Sequence, residues 1–362
     1  MVWAWLVGFH GRFWQAGPVL APARPWFAPA VRIIVPARDE ADSIGASLAS
    51  LLAQDYSGRF SVVLVDDGSS DGTGDIARSL ADPRLTVVTG AARPEGWSGK
   101  LWAVAQGLER IGDFDVVLLT DADIVHDPRH LSALVAQSEA IDADLVSEMV
   151  ALTCDSVAER ALVPAFVYFF QLLYPFGRVN DPHDKTAAAA GGTMLMRRHA
   201  LDRIGGIAAI RDALIDDVAL ARTIKRGGRI WLGHSALAKS VRPYPNAADI
   251  WRMVARTAYV QLRRSPFLLL GTTLAMALVW LAPPGLALLG DGASRWFGAA
   301  VWVVSAVSFL PTLGRFGRSP LWALALPAIA SFYMAATVAS AFHHHFGQGV
   351  VWKRRAYGEV DA

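Results

Sequence analysis

Two clusters of acidic residues carry the clearest chemical signal in this sequence of 362 residues. The first is the run VDDGSSDGT at 65–73, and the second is the triplet DAD at 121–123. Each cluster follows an aliphatic run, at 61–65 and 116–119, of the kind that forms a buried parallel strand. Because open α/β sheets bind ligands at the carboxyl ends of their strands, the two clusters predict a site for a nucleotide-sugar and a metal.

The segment after the first predicted strand excludes two common kinds of nucleotide site. It reads Pro36-Ala37-Arg38-Asp39-Glu40, without the Gly-x-Gly-x-x-Gly of dinucleotide-binding proteins or the Gly-Lys-Ser/Thr of phosphate-loop enzymes. A site built from carboxylates remains, suited to a nucleoside hydroxyl and to Mg²⁺ or Mn²⁺. Side chains at i and i+2 of an extended strand end point the same way, so Asp121 and Asp123 are expected to face one cation. A solvated acidic loop is the alternative.

Two further segments contain residues of catalytic type at the start of predicted helices. Gly96-Trp97-Ser98-Gly99-Lys100 places backbone amides and one ammonium where a diphosphate could bind, with a capped helix start as the alternative. Asp216 and Asp217 begin another helical stretch. Acids in a first helical turn commonly serve only the helix dipole, so this pair by itself does not indicate catalysis.

The elements that must position these residues alternate along residues 31–266, where short aliphatic runs are separated by helix-like stretches. This pattern predicts an α/β domain with a mostly parallel sheet covered by helices. The predicted strands are Val31 to Val35, Ser61 to Val65, Leu85 to Val88, Val116 to Leu119 and Leu145 to Val150. The predicted helices are Ala41 to Gln54, Gly74 to Leu80, Lys100 to Arg110 and Arg129 to Ala140.

Composition places the rest of the chain at a membrane. The residues are 53% hydrophobic with a mean hydropathy of +0.33, and the excess is concentrated in 267–289, 296–313 and 321–342, which contain no charged residue. About 20 apolar residues suffice to cross a bilayer. The predicted organisation is therefore an N-terminal interfacial anchor and Pro-rich linker at 1–30, a catalytic domain at 31–266, membrane-spanning helices at 267–342 and a basic tail at 343–362.

Charge and cysteine content exclude other classes. A net charge of +2 lacks the basic footprint of a nucleic-acid-binding protein. A single cysteine, Cys154, excludes an internal disulfide framework. The segment 161–176 is apolar on nearly every face but too short to span, and an interfacial helix is expected there in preference to a core helix.

Taken in order, the motifs resemble those of the GT-A fold glycosyltransferases of family 2, over residues 31–266. The motifs are VPARDE at 35–40, VDDGSSDGT at 65–73, GK at 99–100, DAD at 121–123, GGTMLMRR at 191–198, GG at 205–206 and DDVAL at 216–220. Within this family the sequence is most similar to the bacterial hopene-associated glycosyltransferases. That likeness is carried by GKLWAVAQG, PAFVYFFQLLYPF, the AAAAGG run and WRMVARTAY.

The resemblance implies a GT-A, Rossmann-like catalytic domain followed by C-terminal transmembrane helices. It also implies inverting transfer of a sugar from a nucleotide-sugar, with a UDP-sugar favoured, and a divalent metal, Mg²⁺ or Mn²⁺. The implied donor-binding residues are Pro36, Arg38, Glu40, Asp67, Lys100 and Asp121, and the implied metal ligands are Asp121 and Asp123. Asp217 is implied as the catalytic base, with Asp216 as its rival. The implied acceptor-side residues are Gly191, Gly192, Arg256, Gln261 and Arg264.

The sequence departs from the family pattern at two places. Asp216 stands where many members have Glu, and the tryptophan of the Gln-x-x-Arg-Trp motif is missing after both Arg256 and Arg264. The first departure keeps Asp217 as the expected base, whereas the second leaves the acceptor-side residues open, since these arginines also suit cytosolic anchors flanking a span.

The expected acceptor is a lipid, and the expected location is the bacterial inner membrane, multi-pass, with a cytoplasmic catalytic domain. A hopanoid, a polyprenyl phosphate and a glycerolipid are all open as acceptors. A membrane-anchored nucleotide-sugar-binding protein without turnover and a nucleotidyltransferase are the alternatives to a glycosyltransferase. Three full crossings would leave Lys353, Arg354 and Arg355 outside, against the positive-inside tendency, so one segment is expected to be re-entrant or the tail an exception.

Overall fold

The computed structural model of the chain describes residues 1–110, 112–346, 350–352 and 355–357. The strands in these residues are β1 (Val31–Ala37), β2 (Phe60–Asp66), β3 (Leu85–Thr89), β4 (Val116–Thr120), β5 (Ile124–His126), β6 (Leu145–Ala151), β7 (Thr193–Arg197), β8 (Ile230–Ser240), β9 (Val350–Trp352) and β10 (Arg355–Tyr357). The α-helices are α1 (Val2–Phe9), α2 (Ala41–Leu52), α3 (Thr73–Ser79), α4 (Gly99–Leu108), α5 (His130–Ala140), α6 (Val157–Leu173), α7 (Phe176–Val179), α8 (Arg198–Arg203), α9 (Asp216–Lys225), α10 (Ala247–Gln261), α11 (Pro266–Met276), α12 (Ala282–Leu289), α13 (Gly292–Arg315) and α14 (Leu326–Phe346).

Strands β1 to β8 form one mixed sheet in the order β3-β2-β1-β4-β7-β6-β8-β5. The β1–β2, β2–β3, β1–β4 and β6–β8 pairs are parallel, and β4–β7, β6–β7 and β5–β8 are antiparallel. The predicted α/β sheet is confirmed, with antiparallel neighbours added on one side. The sequence reasoning did not identify β7 or β8.

The sheet has a hydrophobic layer on each face, which explains the continuous aliphatic runs of its central strands. On one face α4 and α9 pack through Leu101, Val104 and Ile224. On the other face α2 and α5 pack through Ile44 and Leu134. Because both faces are covered, the middles of β1, β2 and β4 are aliphatic, and the acids that follow β2 and β4 lie at the strand ends, where the site lies.

The turn after β2 is shaped by glycines that no other residue could replace without strain. Gly68 and Gly72 have φ angles of 68° and 91°, in the left-handed region that favours glycine. A Cβ on Gly74 would lie 2.4 Å from Oδ2 of Asp66. The close approach lets this turn fold tightly against the carboxyl end of β1, where the amide of Glu40 donates to Thr73 Oγ1 at 2.8 Å.

Helix α6 lies between the α/β domain and the C-terminal helices. The hydroxyl of Tyr168 is 2.6 Å from Ser308 Oγ on α13, and the Tyr333 hydroxyl on α14 donates to the carbonyl of Leu162 at 2.8 Å. Tyr168 has no exposed surface. The segment is therefore apolar on nearly every face because it is a core helix covered on several sides, rather than the expected interfacial helix.

Three helical stretches are long and apolar enough to cross a membrane: Pro266–Leu289, Gly292–Arg315 and Pro320–Phe346. They contain the three apolar segments predicted from the sequence. The first joins α11 to α12 through a π-helical turn at Ala277–Leu281 and packs beside α13 as a hairpin, since a Cβ on Gly298 would contact the carbonyl of Pro283. The third, ending in α14, packs along α10.

The N-terminal segment packs against these helices. The indole of Trp3 lies edge-on to that of Trp280, with ring centroids 4.9 Å apart, and donates to the carbonyl of Val279 at 3.0 Å. Leu20, in the Pro-rich stretch, is buried against the α/β domain. Of the predicted basic tail, Lys353 and Arg354 lie outside the described residues.

Candidate active site

A cleft of about 810 Å³ lies at the carboxyl ends of β1 and β4 and extends to α10 and α14. Its polar and aromatic lining includes Glu40, Ser98, Lys100, Asp121, Asp123, Asp216, Arg242, Tyr244, Asp249, Arg252, Arg256, Tyr259, Ser340, His343 and His344. The cleft therefore joins the predicted donor-side residues to residues of the C-terminal helices.

Lys100 lies in the cleft between two carboxylates. Its Nζ is 2.8 Å from Asp121 Oδ1 and 3.3 Å from Asp216 Oδ2. Lys100 is positioned by the start of α4, where Ser98 Oγ caps the helix by accepting from the amide of Leu101 at 3.4 Å. Burial acts to lower the pKa of Lys100, but the Asp121 and Asp216 carboxylates outweigh it, so the pKa is raised and the ammonium stays charged.

Arg242, which sequence reasoning missed, joins two predicted site residues. Its Nε donates to Asp123 Oδ2 at 2.9 Å, and its Nη2 donates to the two Glu40 oxygens at 2.7 and 2.9 Å. Ser240 Oγ also donates to Asp123 Oδ2, at 3.0 Å. Arg242 follows β8, whose antiparallel pairing with β5 brings it to the acidic triplet. Nothing local in the sequence marks an arginine so far along the chain as a partner of that triplet.

The triplet itself is not the extended strand end that was expected. Strand β4 ends at Thr120 and β5 begins at Ile124, so Asp121 to Asp123 form a turn in which the amide of Ile124 donates to the carbonyl of Asp121. The premise that the two carboxylates share one face of a strand was wrong. Asp121 contacts Lys100 and Asp123 contacts Arg242, although both line the cleft.

The donor set fits a divalent cation that is completed by the substrate. Among the residues that the structure describes, no group of three or more His, Cys, Asp or Glu side chains could hold a metal ion by itself. Mg²⁺ is characteristically bound through one or two protein carboxylates together with substrate phosphates. Asp121 and Asp123 on the cleft wall match that number, and Asp123 would keep its contacts to Arg242 and Ser240 through one oxygen only.

The two adjacent acids at the start of α9 occupy different surroundings. Asp216 lines the cleft beside Lys100. Asp217 instead accepts from the amide of Gly191 at 2.9 Å and from its neighbour Val218 at 2.7 Å. Burial, together with the adjacent Asp216 charge, raises the pKa of Asp217 to about 7. Such a carboxyl exchanges its proton near neutral pH, whereas Asp216 is placed to hold Lys100.

The predicted nucleoside-side residues cluster near the end of β1. Pro36 and Glu40 line the cleft. Arg38 and Asp67 form an ion pair at 3.7 Å, in which Asp67 is 2% exposed, and Arg38 also donates to the carbonyl of Asp67. The pair is therefore placed beside the cleft rather than on its lining.

The predicted acceptor-side residues are brought together only in part. Arg256 lines the cleft, and Gly191 lies at its base beside Lys100 and Asp216. The carbonyl of Gly192 accepts from Thr120 Oγ1 at 2.9 Å, which ties β7 to the acidic turn. Gln261 is absent from the lining of the cleft and bonds the Tyr174 hydroxyl, and Arg264 is absent from it beyond the end of α10.

Five further lining residues were not predicted from the sequence: Tyr244, Tyr259, Ser340, His343 and His344. His343 and His344 belong to a run of three histidines at the end of the third apolar segment, where no local signal connects them to the cleft. Only the packing of α14 along α10 brings His343 and His344 to the cleft.

Comparisons with known proteins agree with this architecture. The profile described as Glycosyl transferase family 2 matches residues 32–205. Over 119 residues, 32% of this chain and 46% of the relative, the sequence is 35% identical to an undecaprenyl-phosphate mannosyltransferase of Micrococcus luteus. Over 115 residues, 31% of this chain and 56% of the relative, it is 32% identical to an N-acetylglucosaminyltransferase of Bradyrhizobium elkanii. The matched stretch is thus about half of each relative's length.

A solved structure extends the fold comparison to nearly the whole chain. A mannosyltransferase from Pyrobaculum calidifontis, in complex with GDP-Man and Mn²⁺, superposes with a TM-score of 0.60 and covers 95% of both chains at 22% identity. At this identity the likeness concerns the fold. The profile match identifies residues 32–205 as a glycosyltransferase family 2 domain, and the solved structure shows that a similar fold extends over nearly the whole chain.

Proposed function

We propose that this protein is a membrane-bound inverting glycosyltransferase that moves a sugar from a nucleotide-sugar to a lipid acceptor. The observation that carries the proposal is the position of Lys100 between Asp121 and Asp216, inside a cleft at the strand ends of a family 2 domain. The ammonium, together with a divalent cation held by the acidic turn, would balance the charge of a diphosphate leaving group, and a capped helix start adds backbone amides. A binding protein without turnover has no evident use for the acid pair of α9.

The donor is proposed to bind from the end of β1 to the acidic turn. Pro36 and Glu40 contact the nucleoside, with Arg38 and Asp67 supporting them from behind. Lys100 meets the diphosphate directly, and Asp121 would reach it through a bound cation. A divalent cation, Mg²⁺ or Mn²⁺, would be held by Asp121 and Asp123 and would supply charge neutralisation for the leaving group. A UDP-sugar is the donor favoured by the sequence resemblance.

The chemical step is proposed as a single displacement. An acceptor oxygen forms a bond to the anomeric carbon while the bond from that carbon to the β-phosphate oxygen breaks, and the nucleoside diphosphate leaves with the electron pair. Asp217 takes the proton from the acceptor oxygen, for which its raised pKa is suited. Lys100 stays protonated and offsets the charge that develops on the leaving oxygen.

The acceptor is proposed to be a lipid in the bacterial inner membrane, with the catalytic domain on the cytoplasmic side. The cleft extends to α10 and α14, and three helical stretches are long enough to anchor the protein in a bilayer. Two kinds of acceptor have specific support. The likeness to hopene-associated glycosyltransferases favours a hopanoid, and the Micrococcus luteus relative acts, by its name, on undecaprenyl phosphate.

The proposal is tested by transfer from a panel of radiolabelled nucleotide sugars into bacterial lipid extracts by the full-length protein in lipid nanodiscs. We expect one sugar to enter the lipid phase, with the nucleoside diphosphate released in equal amount. Asp121→Asn should lower the rate about 10²- to 10³-fold, because it removes a ligand of the cation that would neutralise the leaving group. Asp127→Asn, just after β5 and outside the cleft lining, is the matched control. Absence of transfer with every donor by folded wild-type protein would reject the proposal.

A further inference from the structure

The positive charges that line the cleft differ in whether they have an acidic partner. Lys100 lies between Asp121 and Asp216, and Arg242 lies between Glu40 and Asp123. Arg252 is paired with Asp249. Within the described residues, Arg256 makes no hydrogen bond or ion pair, although it also lines the cleft and sits near Tyr244. The positive charge that has no acidic partner among the described residues therefore lies on α10, which forms one wall of the cleft.

Two imidazoles stand on the same part of the wall. His343 and His344 of α14 line the cleft together with Arg256 of α10. The two helices are held together at this point by Tyr259, whose amide donates to Ser340 Oγ at 3.0 Å and whose ring centroid is 5.5 Å from that of His344. Because Arg256 and Tyr259 are three residues apart on one helix, they share a face. The packing of α14 on α10 thus brings the arginine and both histidines to one wall.

This wall is the part of the cleft nearest to the apolar helices. Met253 and Val260 also line it, α14 is predominantly apolar, and α11 begins at Pro266, shortly after α10 ends. A ligand group bound here would have apolar surface beside it and the donor-side charges at the other end of the cleft. A guanidinium without a partner is well matched to a phosphate, which it can bind in bidentate fashion.

We propose that the acceptor lipid carries a phosphate group, and that Arg256 binds this phosphate with His343 and His344 beside it. The inference rests on the proposed glycosyltransferase function and deepens it by naming the acceptor class. The phosphate of a polyprenyl phosphate and that of a glycerophospholipid head group offer the same chemistry to this wall. A neutral sterol-like or diacylglycerol acceptor offers no anion for it.

The experiment measures transfer by the full-length protein in nanodiscs with four defined acceptor lipids, once a donor has been found. Undecaprenyl phosphate and phosphatidylglycerol carry phosphate, whereas undecaprenol and diacylglycerol are their neutral counterparts. We expect labelled product from a phosphate-bearing lipid only. Comparing undecaprenyl phosphate with phosphatidylglycerol then shows whether the acceptor is a phosphomonoester or a phospholipid head group. Product from a neutral lipid at an equal rate would overturn the inference.

Variants separate a specific phosphate contact from general attraction to an anionic bilayer. Arg256→Ala should raise the KM for the phosphate lipid about 10- to 100-fold, the usual cost of losing a charged hydrogen bond, and should leave the KM for the nucleotide-sugar unchanged. Arg256→Lys should recover part of the loss. Arg263→Ala removes an exposed arginine just beyond the same helix without touching the cleft lining, and it should behave as wild type.

The outcomes also distinguish failure of the inference from failure of the proposed function. Slow hydrolysis of the nucleotide-sugar without any acceptor reports on the donor site alone. Wild-type protein that shows neither hydrolysis nor transfer would contradict the function itself. Protein that transfers sugar while Arg256→Ala and Arg263→Ala have equal KM values for the lipid would contradict only the phosphate subsite.

Discussion

Adjacent aspartates at the start of α9 illustrate how position on a helix separates two roles. Asp216 contacts the Lys100 ammonium on the cleft, while Asp217 accepts amide hydrogens from Gly191 and Val218. Burial and then the charge of the adjacent Asp216 raise the pKa of Asp217, because both disfavour its ionised form. At the residue scale, we therefore propose that Asp217 transfers the proton and that Asp216 positions the Lys100 charge.

The pH dependence of transfer checks this assignment. Because the pKa of Asp217 is raised to about 7, its carboxyl is protonated below that pH and cannot accept a proton. We expect kcat to fall as the pH drops through about 7, and to reach a plateau above it. Asp217→Asn should lower kcat about 10²- to 10⁴-fold and remove this dependence.

The exposed neighbour Asp212 provides the control for that variant, since Asp212→Asn leaves the acid pair intact. The measurement is kcat across the pH range in which the protein remains folded, with donor and acceptor saturating. Near-normal transfer by folded Asp217→Asn protein would remove the base role from Asp217.

Among the elements, the loop after β8 connects the cleft to α6. Glu159, in the first turn of α6, accepts from Thr153 Oγ1, from the amides of Asp155 and Ser156, and from the amide of Tyr244, at 2.8 to 2.9 Å. Together with Ser156 it forms a capping box. One carboxylate thus fixes both the start of a core helix and the segment that carries Arg242 and Tyr244 to the site.

Replacing this carboxylate should weaken the whole junction. Glu159→Gln substitutes a neutral amide for a charged acceptor of several hydrogen bonds, and we expect the free energy of unfolding to fall by about 1–3 kcal/mol. Thermal unfolding of the full-length protein in detergent measures it. Glu109→Gln, at the exposed end of α4, is the control and should unfold as wild type does.

The contribution of Glu159 should also depend on pH. Burial acts to raise its pKa, but the hydrogen bonds from Ser156, Tyr244 and Thr153 outweigh burial and lower the pKa from 4.5 to about 2. Its stabilisation is therefore fully present above about pH 4.5 and is lost as the pH falls toward 2. If wild type and Glu159→Gln kept the same difference in stability down to that pH, the carboxylate would not be its source.

For the whole molecule, the position of α14 bears on how the chain meets the membrane. Along its length α14 runs parallel to α10, with ring centroids 5.3 Å apart for Trp251 and Phe332 and 5.5 Å apart for Tyr259 and His345. Helix α10 belongs to the cleft and carries Arg252 and Arg256. The end of α14 therefore lies beside the end of α10, where the first apolar stretch begins.

This arrangement predicts that the residues after α14 lie on the same side of the membrane as the catalytic domain, consistent with the positive-inside tendency of the basic tail. In a Cys154→Ser background, which removes the single, buried cysteine, we expect a membrane-impermeant maleimide to label Glu95→Cys and Phe346→Cys from one side. Asp291→Cys, at the tip of the α12–α13 hairpin, should be labelled from the other side. Labelling of Phe346→Cys together with Asp291→Cys would mean that α14 completes a crossing.

Much of this architecture was accessible from the residues alone, because its signals are local. The strand before Asp66 and the strand before Asp121 read as aliphatic runs, since both faces of a central strand are covered. The long stretches without charged residues within α11 to α14 are an equally clear signal of helices that could cross a membrane, because a bilayer tolerates few charges. The resemblance of ordered motifs then predicted Lys100, Asp121 and Asp217 as residues of one site.

The tertiary structure decided the contacts between segments that are distant in the chain. Arg242 reaches Asp123 and Glu40 because β8 pairs with β5, and His343 reaches the cleft because α14 packs on α10. Neither contact has a signature in local periodicity, since it depends on which apolar faces match when the sheet and the helices assemble. The sequence by itself determined the fold class and predicted the donor side of the site, whereas long-range packing alone decided which cleft charges have acidic partners and left Arg256 without one among the described residues.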